Sequence, residues 1–110
     1  MGNEQAYEIE LYTLPDGKIP FSEWLGKLDK RNQARIVKRI TRLEDGNFGD
    51  YKTVGDGVFE LRFFFGSGYR VYYGLDGETL VLLLTGGDKK TQNKDIKTAK
   101  QYWKKYQKEK

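Results

Sequence analysis

A chain of 110 residues with 37% hydrophobic, 15% aromatic and 33% charged side chains is expected to form one soluble domain around a single core. It contains no cysteine and no histidine, which excludes disulfides, thiolate nucleophiles, cysteine–zinc sites and imidazole proton transfer. Any catalysis must therefore run on Lys, Arg, Tyr, Asp or Glu, and neither a cofactor nor a metal is expected.

The net charge of +4 is unevenly placed: residues 88–110 hold nine lysines against Asp88, Asp95 and Glu109. A basic C-terminal arm on a weakly acidic body suits a polyanion or an acidic protein partner, although lysine-rich terminal helices also serve solubility alone. The longest aliphatic run, Leu80 to Leu84, is far short of a membrane span. No cationic start followed by an apolar stretch precedes Tyr7, so a cytoplasmic location is expected and a membrane partner is not.

Taken in chain order, Tyr7 to Thr13 alternates, with Tyr7, Ile9 and Leu11 on one side, which predicts a half-buried strand. Pro15-Asp16-Gly17 ends it, and Pro20 suits the first turn of a helix. Phe21, Trp24, Leu25 and Leu28 then form one helical stripe. Asp29 is a candidate N-cap for a second helix, whose stripe is Ile36, Val37, Ile40 and Leu43 and which Gly46 stops. The basic residues around that stripe suit a solvated face or a second anion-contacting surface. Residues 45–57 read as loop. Strands are expected at about 58–65, 69–75 and 79–85, with Asp76-Gly77 as a two-residue hairpin turn. After Gly86-Gly87 a final helix runs from about Gln92 to Gln107 and buries Ile96, Ala99, Trp103 and Tyr106. The order β-α-α-β-β-β-α is an α+β layout with an antiparallel-rich four-stranded sheet and a basic C-terminal helix.

Parity sets the expected register, because facing residues of an antiparallel pair share a side. A loop at Gly66-Ser67-Gly68 pairs Phe63 with Val71 and Leu61 with Tyr73, placing Arg62 opposite Tyr72 and Arg70 opposite Phe64. The Asp76-Gly77 turn then pairs Tyr73 with Leu80 and Val71 with Leu82. The last strand is apolar on both sides and is expected inside the sheet, beside the first strand. The aromatic face lies under the two long helices. The other face carries Glu60, Arg62, Phe64, Arg70 and Tyr72, with Lys89 nearby. Guanidiniums with an aromatic and a lysine on an open sheet suit phosphates and stacked bases, and an ion pair between Glu60 and an arginine is the plainer alternative. Arg70 has no evident acidic partner. Gly86-Gly87-Asp88-Lys89 adds backbone N–H groups at a helix start, which attract anions.

Glu60-Leu61-Arg62, Gly68-Tyr69-Arg70-Val71-Tyr72 and Gly86-Gly87-Asp88-Lys89, followed by Gln92 and Asp95-Ile96, together resemble the RelE/ParE superfamily of bacterial toxins. The likeness is greatest to its HigB-like addiction module killer branch and spans nearly the whole chain, from Phe21-Ser22-Glu23-Trp24-Leu25 to Tyr102-Trp103. The resemblance implies a compact RelE-like, microbial-RNase-like fold and metal-independent, ribosome-dependent cleavage of mRNA. It also implies neutralisation by a cognate antitoxin, often of helix-turn-helix type, in a toxin–antitoxin complex. Arg70 matches the strand arginine set against the scissile phosphate, Arg62 a second basic strand position, and Lys89 the cation after the glycine turn. Lys52 falls in the basic loop before the second strand. Asp95, with Gln92 just before it, occupies the place where relatives carry a tyrosine or histidine.

In such a reaction the RNA 2′-OH attacks its own phosphodiester, and the protein must stabilise the charged phosphate and move protons. Arg70 and Arg62 would grip the phosphate, and Lys89 or Lys52 would donate a proton or add charge. Asp95 would act as base or cap the helix, and Tyr72 would stack, shuttle a proton or simply pack. Lys52, Tyr72, Lys90, Gln92 and Lys94 are the further expected RNA contacts. Two other readings stay open: a ParE-like inhibitor of DNA gyrase, and a relative that binds RNA without cutting it.

Overall fold

Local chemistry fixes where the helices begin and end. The computed structural model describes residues 6–110; residues 1–5, read above for a leader, lie outside it. Helix α1 (Pro20–Gly26) has proline in its first turn, where the missing N–H costs nothing, and buries Phe21. Asp29 caps α2 (Lys30–Thr41), its carboxylate accepting from the Asn32 amide at 2.8 Å. A 3-10 turn, Arg42–Asp45, follows and ends on Gly46 at φ 80°. Ile36, Ile40 and Leu43 are buried as their spacing requires, but Val37 is 45% exposed. It stands 100° round the helix from Ile36, outside the buried arc.

Strands β1 (Glu8–Leu11), β2 (Tyr51–Gly55), β3 (Val58–Arg62), β4 (Arg70–Asp76) and β5 (Leu80–Gly87) form one sheet in the order β1-β5-β4-β3-β2. Only β1 and β5 are parallel neighbours. The chain is thus α+β, and its expected strands have the neighbours parity assigns. The fifth strand, β2, lies in the stretch read as loop. Asp56 at φ 58° and Gly57 at φ 85° join it to β3 by a two-residue turn, which needs positive φ at both positions. The same dipeptide at Asp76-Gly77 does not make that turn. Asp76 pairs with Leu80, so three residues form the connection.

That extra residue changes the register. Tyr73 faces Leu83 and Leu75 faces Val81, and a bulge between Tyr72 and Tyr73 then sets Tyr72 against Thr85 and Arg70 against Gly87. Between β3 and β4 the pairing differs from expectation by two residues: Phe59 faces Tyr73 and Leu61 faces Val71. Arg62 therefore faces Arg70, not Tyr72. A shift of two preserves the faces, and the longer connection is held by Phe63 N donating to Tyr69 O at 3.0 Å.

The sheet is covered on both sides. Phe21, Ile36, Ile40 and Leu43 pack on Leu61, Val71, Tyr73, Val81 and Leu83. Helix α3 (Gln92–Lys108) lies on the opposite face, where Ala99 and Trp103 meet Val58, Tyr72, Leu82 and Leu84. The expectation of both long helices on one face and an open second face is corrected. A strand apolar on both sides, as β5 is, needs cover on both sides. No helix among the described residues is long and apolar enough to cross a membrane.

Gly74 makes the α3 packing possible, because a Cβ there would overlap the six-membered ring of Trp103. Both groups are buried, and the overlap involves ring carbons, not a flexible tip. Gly74→Ala is expected to lower the unfolding free energy by about 1–3 kcal/mol, read from chemical denaturation, through overpacking.

Candidate functional site

Two rows of facing residues cross the α3 side of the sheet. In the first, Lys52 faces Glu60, Glu60 faces Tyr72 and Tyr72 faces Thr85. In the second, Arg62 faces Arg70, and Arg70 faces Gly87. Since facing residues share a side, the alternation of β3 and β4 brings one acid and three cations together at the end of the sheet where α3 begins.

Glu60 is the centre. It is completely buried. Its Oε2 accepts from Tyr72 Oη at 3.0 Å and from Gln92 Nε2 at 2.8 Å. Arg70 Nε lies 3.6 Å from the same oxygen, and Lys52 Nζ lies 3.9 Å from Oε1. These are ion-pair distances longer than hydrogen bonds, and Glu60 Oε1 and Arg70 Nε are buried without a hydrogen-bond partner among the described residues. Arg70 Nη1 donates to Gly68 O at 2.9 Å. The expectation that Arg70 lacks an acidic partner is corrected: Glu60, two residues from Arg62 along β3, holds it.

Arg62 has its own acid. Its Nε lies 3.2 Å from Asp50 Oδ2, with both side chains about one-third exposed. The two arginines share a face but are turned to different carboxylates. Lys89 is exposed and reaches the Arg70 neighbourhood through Gly68: a Cβ on that glycine would touch both Lys89 Cβ and Arg70 Nη1.

Five expectations from the sequence meet different surroundings. Tyr72 is fully buried, so it cannot stack on a base. Burial first, and the Glu60 charge second, raise its pKa far above the ordinary tyrosine value, so it is a donor and never a base near neutral pH. The N–H groups after Gly87 are not open to an anion, because Asp88 accepts from Lys90 N at 2.9 Å and Thr91 N at 3.3 Å in a capping box. The cap is thus Asp88. Asp95 instead accepts from Thr91 Oγ1 and lies against Gly87, where any side chain would overlap its carboxylate. Lys52 stands on β2, not in a loop. Lys90 and Lys94 are exposed at the start of the helical segment, outside the Glu60 contacts. Gln92, expected as an RNA contact, is a ligand of Glu60.

The arrangement can hold an anion. A guanidinium has five donors; Glu60 lies at the Nε of Arg70 and Gly68 O takes an Nη1 proton, while Arg62, Lys52 and Lys89 add positive charge around it. Asp50 is the residue that the sequence did not place in the site, while Glu60 was read onto this face as a partner for an arginine and not as its buried centre. Glu60 was legible as the residue sharing parity with Arg62, but Asp50 carried no signal while residues 45–57 read as loop.

Glu60→Ala strands the Arg70 charge and the Tyr72 hydroxyl. It is expected to lower the unfolding free energy by about 3–5 kcal/mol, and Glu60→Gln by distinctly less, in urea titrations. Asp95 has its pKa raised, chiefly by burial, against the opposing pull of the Thr91 hydrogen bond. A raised folded pKa means that ionisation opposes folding. The protonated group's advantage is full below the unfolded value of 3.8 and is lost as pH climbs through the folded value. The stability of Asp95→Asn relative to the native chain should therefore increase from acidic to neutral pH, measured by thermal unfolding across that range.

Residues 23–105, which contain every residue of this site, match the family described as Phage derived protein Gp49-like (DUF891). A relative from Haemophilus influenzae, described as an uncharacterized protein, is 57% identical over 83 residues, covering 74% of this chain and 84% of the relative. The family match takes in β2 to β5 and most of α3, and with them the charged rows. The chain belongs to the phage-derived Gp49-like family.

Proposed function

We propose that this protein is the toxin of a toxin–antitoxin pair and acts on RNA at the ribosome, cutting mRNA through the RNA's own 2′-OH. The observation that carries the reading is the direct opposition of Arg62 and Arg70 on one face, with Lys52 and Lys89 on the flanks. Like charges facing each other across a strand pair disfavour folding unless carboxylates or a bound anion offset them. Glu60 and Asp50 offset part of this charge, and a phosphate dianion developing in the transition state would offset more.

In this reading Arg70 is the principal phosphate group, held by Glu60 on its Nε side and by Gly68 O on Nη1. Such a preorganised donor is effective because no reorientation is needed when charge develops. Lys89, exposed beside it, protonates or neutralises the leaving 5′-oxygen. Tyr72 supplies no base. Asp95, whose proton is held more tightly than usual, would serve as the base in this reading. The ribosome would contribute alignment of the attacking oxygen.

A second reading is favoured by one specific observation: Tyr72 and Glu60 are fully buried, and Asp95 is tied to Thr91. With so few groups placed to accept a proton, the cationic rows would bind RNA without cutting it. Primer extension on mRNA from a translating extract separates the two. New 5′ ends should appear with the native chain and fall on the order of 100–1000-fold with Arg70→Ala. Equal cutting by Arg70→Ala would remove the site assignment. Salt-sensitive RNA binding with intact mRNA would select the binding-only reading, and inhibition of DNA supercoiling with intact mRNA would select a gyrase inhibitor.

A further inference from the structure

The outer face of α2 is not used by the site above, and its charge is uncompensated. Residues 30–42 contain six cations and no acid. Arg31, Arg35, Lys38 and Arg42 recur at intervals of four, three and four, which places them in one stripe along the helix. None of them forms an ion pair with a carboxylate among the described residues. Beside the stripe, Ala34, Val37 and Thr41 are also exposed, at intervals of three and four. On the other side the helix borders a groove of about 370 Å³ whose far wall is Phe63, Phe64 and Phe65. Phe64 is 81% exposed and, with the groove beside it, adds apolar surface next to the cationic stripe.

We propose that this face docks an acidic, amphipathic helix of a partner protein. A row of cations flanked by small and apolar exposed groups at helical spacing is the complement of a helix bearing carboxylates beside an apolar stripe. Opposite charge along such a seam selects the partner and speeds encounter. The groove floor is already rigid. Arg39 donates to Arg62 O at 2.7 Å, to Asp50 O at 3.0 Å and to Phe48 O at 3.3 Å, so α2 is fixed against β3 before anything binds.

The same observations disfavour a nucleic-acid strand here. Single strands are held by successive aromatic faces. The Phe65 ring already carries the Arg35 guanidinium at 3.8 Å, and the Phe63 ring carries that of Arg39 at 5.0 Å. Phe64 is the most exposed of the three rings, yet the Arg62 guanidinium already lies 6.0 Å from its centre, and the Ala34–Val37–Thr41 seam has no use in backbone recognition. The inference does not depend on whether the protein cuts RNA, because these residues lie outside the rows around Glu60.

The test is selection of a displayed library of random 16-residue peptides on the whole chain. Enriched peptides are expected to carry Asp or Glu together with Leu, Ile or Phe at three- and four-residue spacing. Anisotropy titration of the strongest one should show affinity falling roughly tenfold or more with Lys38→Glu/Arg42→Glu, and weakening with added salt. Phe64→Ala should weaken it as well. All three side chains are exposed, so unchanged thermal unfolding of the variants reports intact folding. Enrichment without acidic bias, or binding indifferent to both variants, would overturn the proposal. So would oligouridylate that binds the native chain and is lost in the same variants as completely as the peptide.

Discussion

A fully buried carboxylate in the middle of a sheet sets the terms for the rest of this molecule. Moving an ionised Glu60 out of water costs several kcal/mol unless its environment replaces the lost solvation. Four side chains from three elements contribute: Lys52 from β2, Tyr72 and Arg70 from β4, and Gln92 from the first turn of α3. Glu60 itself comes from β3. The charge therefore ties the edge hairpin, the central strands and the C-terminal helix to one point. Removing Glu60 itself would leave the buried Arg70 and Tyr72 groups without their partner.

This constraint also explains why the cationic face is ordered before any ligand arrives. Arg62 and Arg70 face each other across β3 and β4, an arrangement that opposes folding by itself. Each is paired with a separate carboxylate, Asp50 for one and Glu60 for the other. The hydrogen bond of Arg70 to Gly68 O anchors it to the turn that also approaches Lys89.

The two faces of the sheet divide the labour. The α1 and α2 side is an aromatic and aliphatic core, with Phe59 stacked on Tyr73 at 5.4 Å and Phe48 beside it. The α3 side is apolar only where Trp103 and Ala99 cover it and becomes polar toward Gln92. At its far end, α3 is fastened by Tyr106 Oη donating to Asp76 at 2.6 Å. That bond, with burial, pushes the tyrosine pKa up to about 12. Lys110 lies 2.7 Å from the same carboxylate and, with Tyr106, holds it below the usual range. Helix α3 is thus fixed polar at both ends and apolar in the middle.

Local sequence determined the helices, four of the five strands, the Asp29 cap, the Gly46 stop and the α3 stripe, because each depends on residues within a short window, whereas β2 lay in a stretch that reads as loop. The cationic residues were equally legible, since an arginine at an alternating strand position stands out against its apolar neighbours. Packing alone decided which turn Asp56-Gly57 and Asp76-Gly77 would make. Both dipeptides tolerate positive φ, and only the bulge at Tyr72/Tyr73 and the cover over β5 distinguish them. The same holds for the side α3 takes, which rests on Gly74 making room for Trp103. It holds too for the partners of Arg62 and Arg70, because an ion pair joins residues distant in sequence and no local pattern encodes which carboxylate a guanidinium meets.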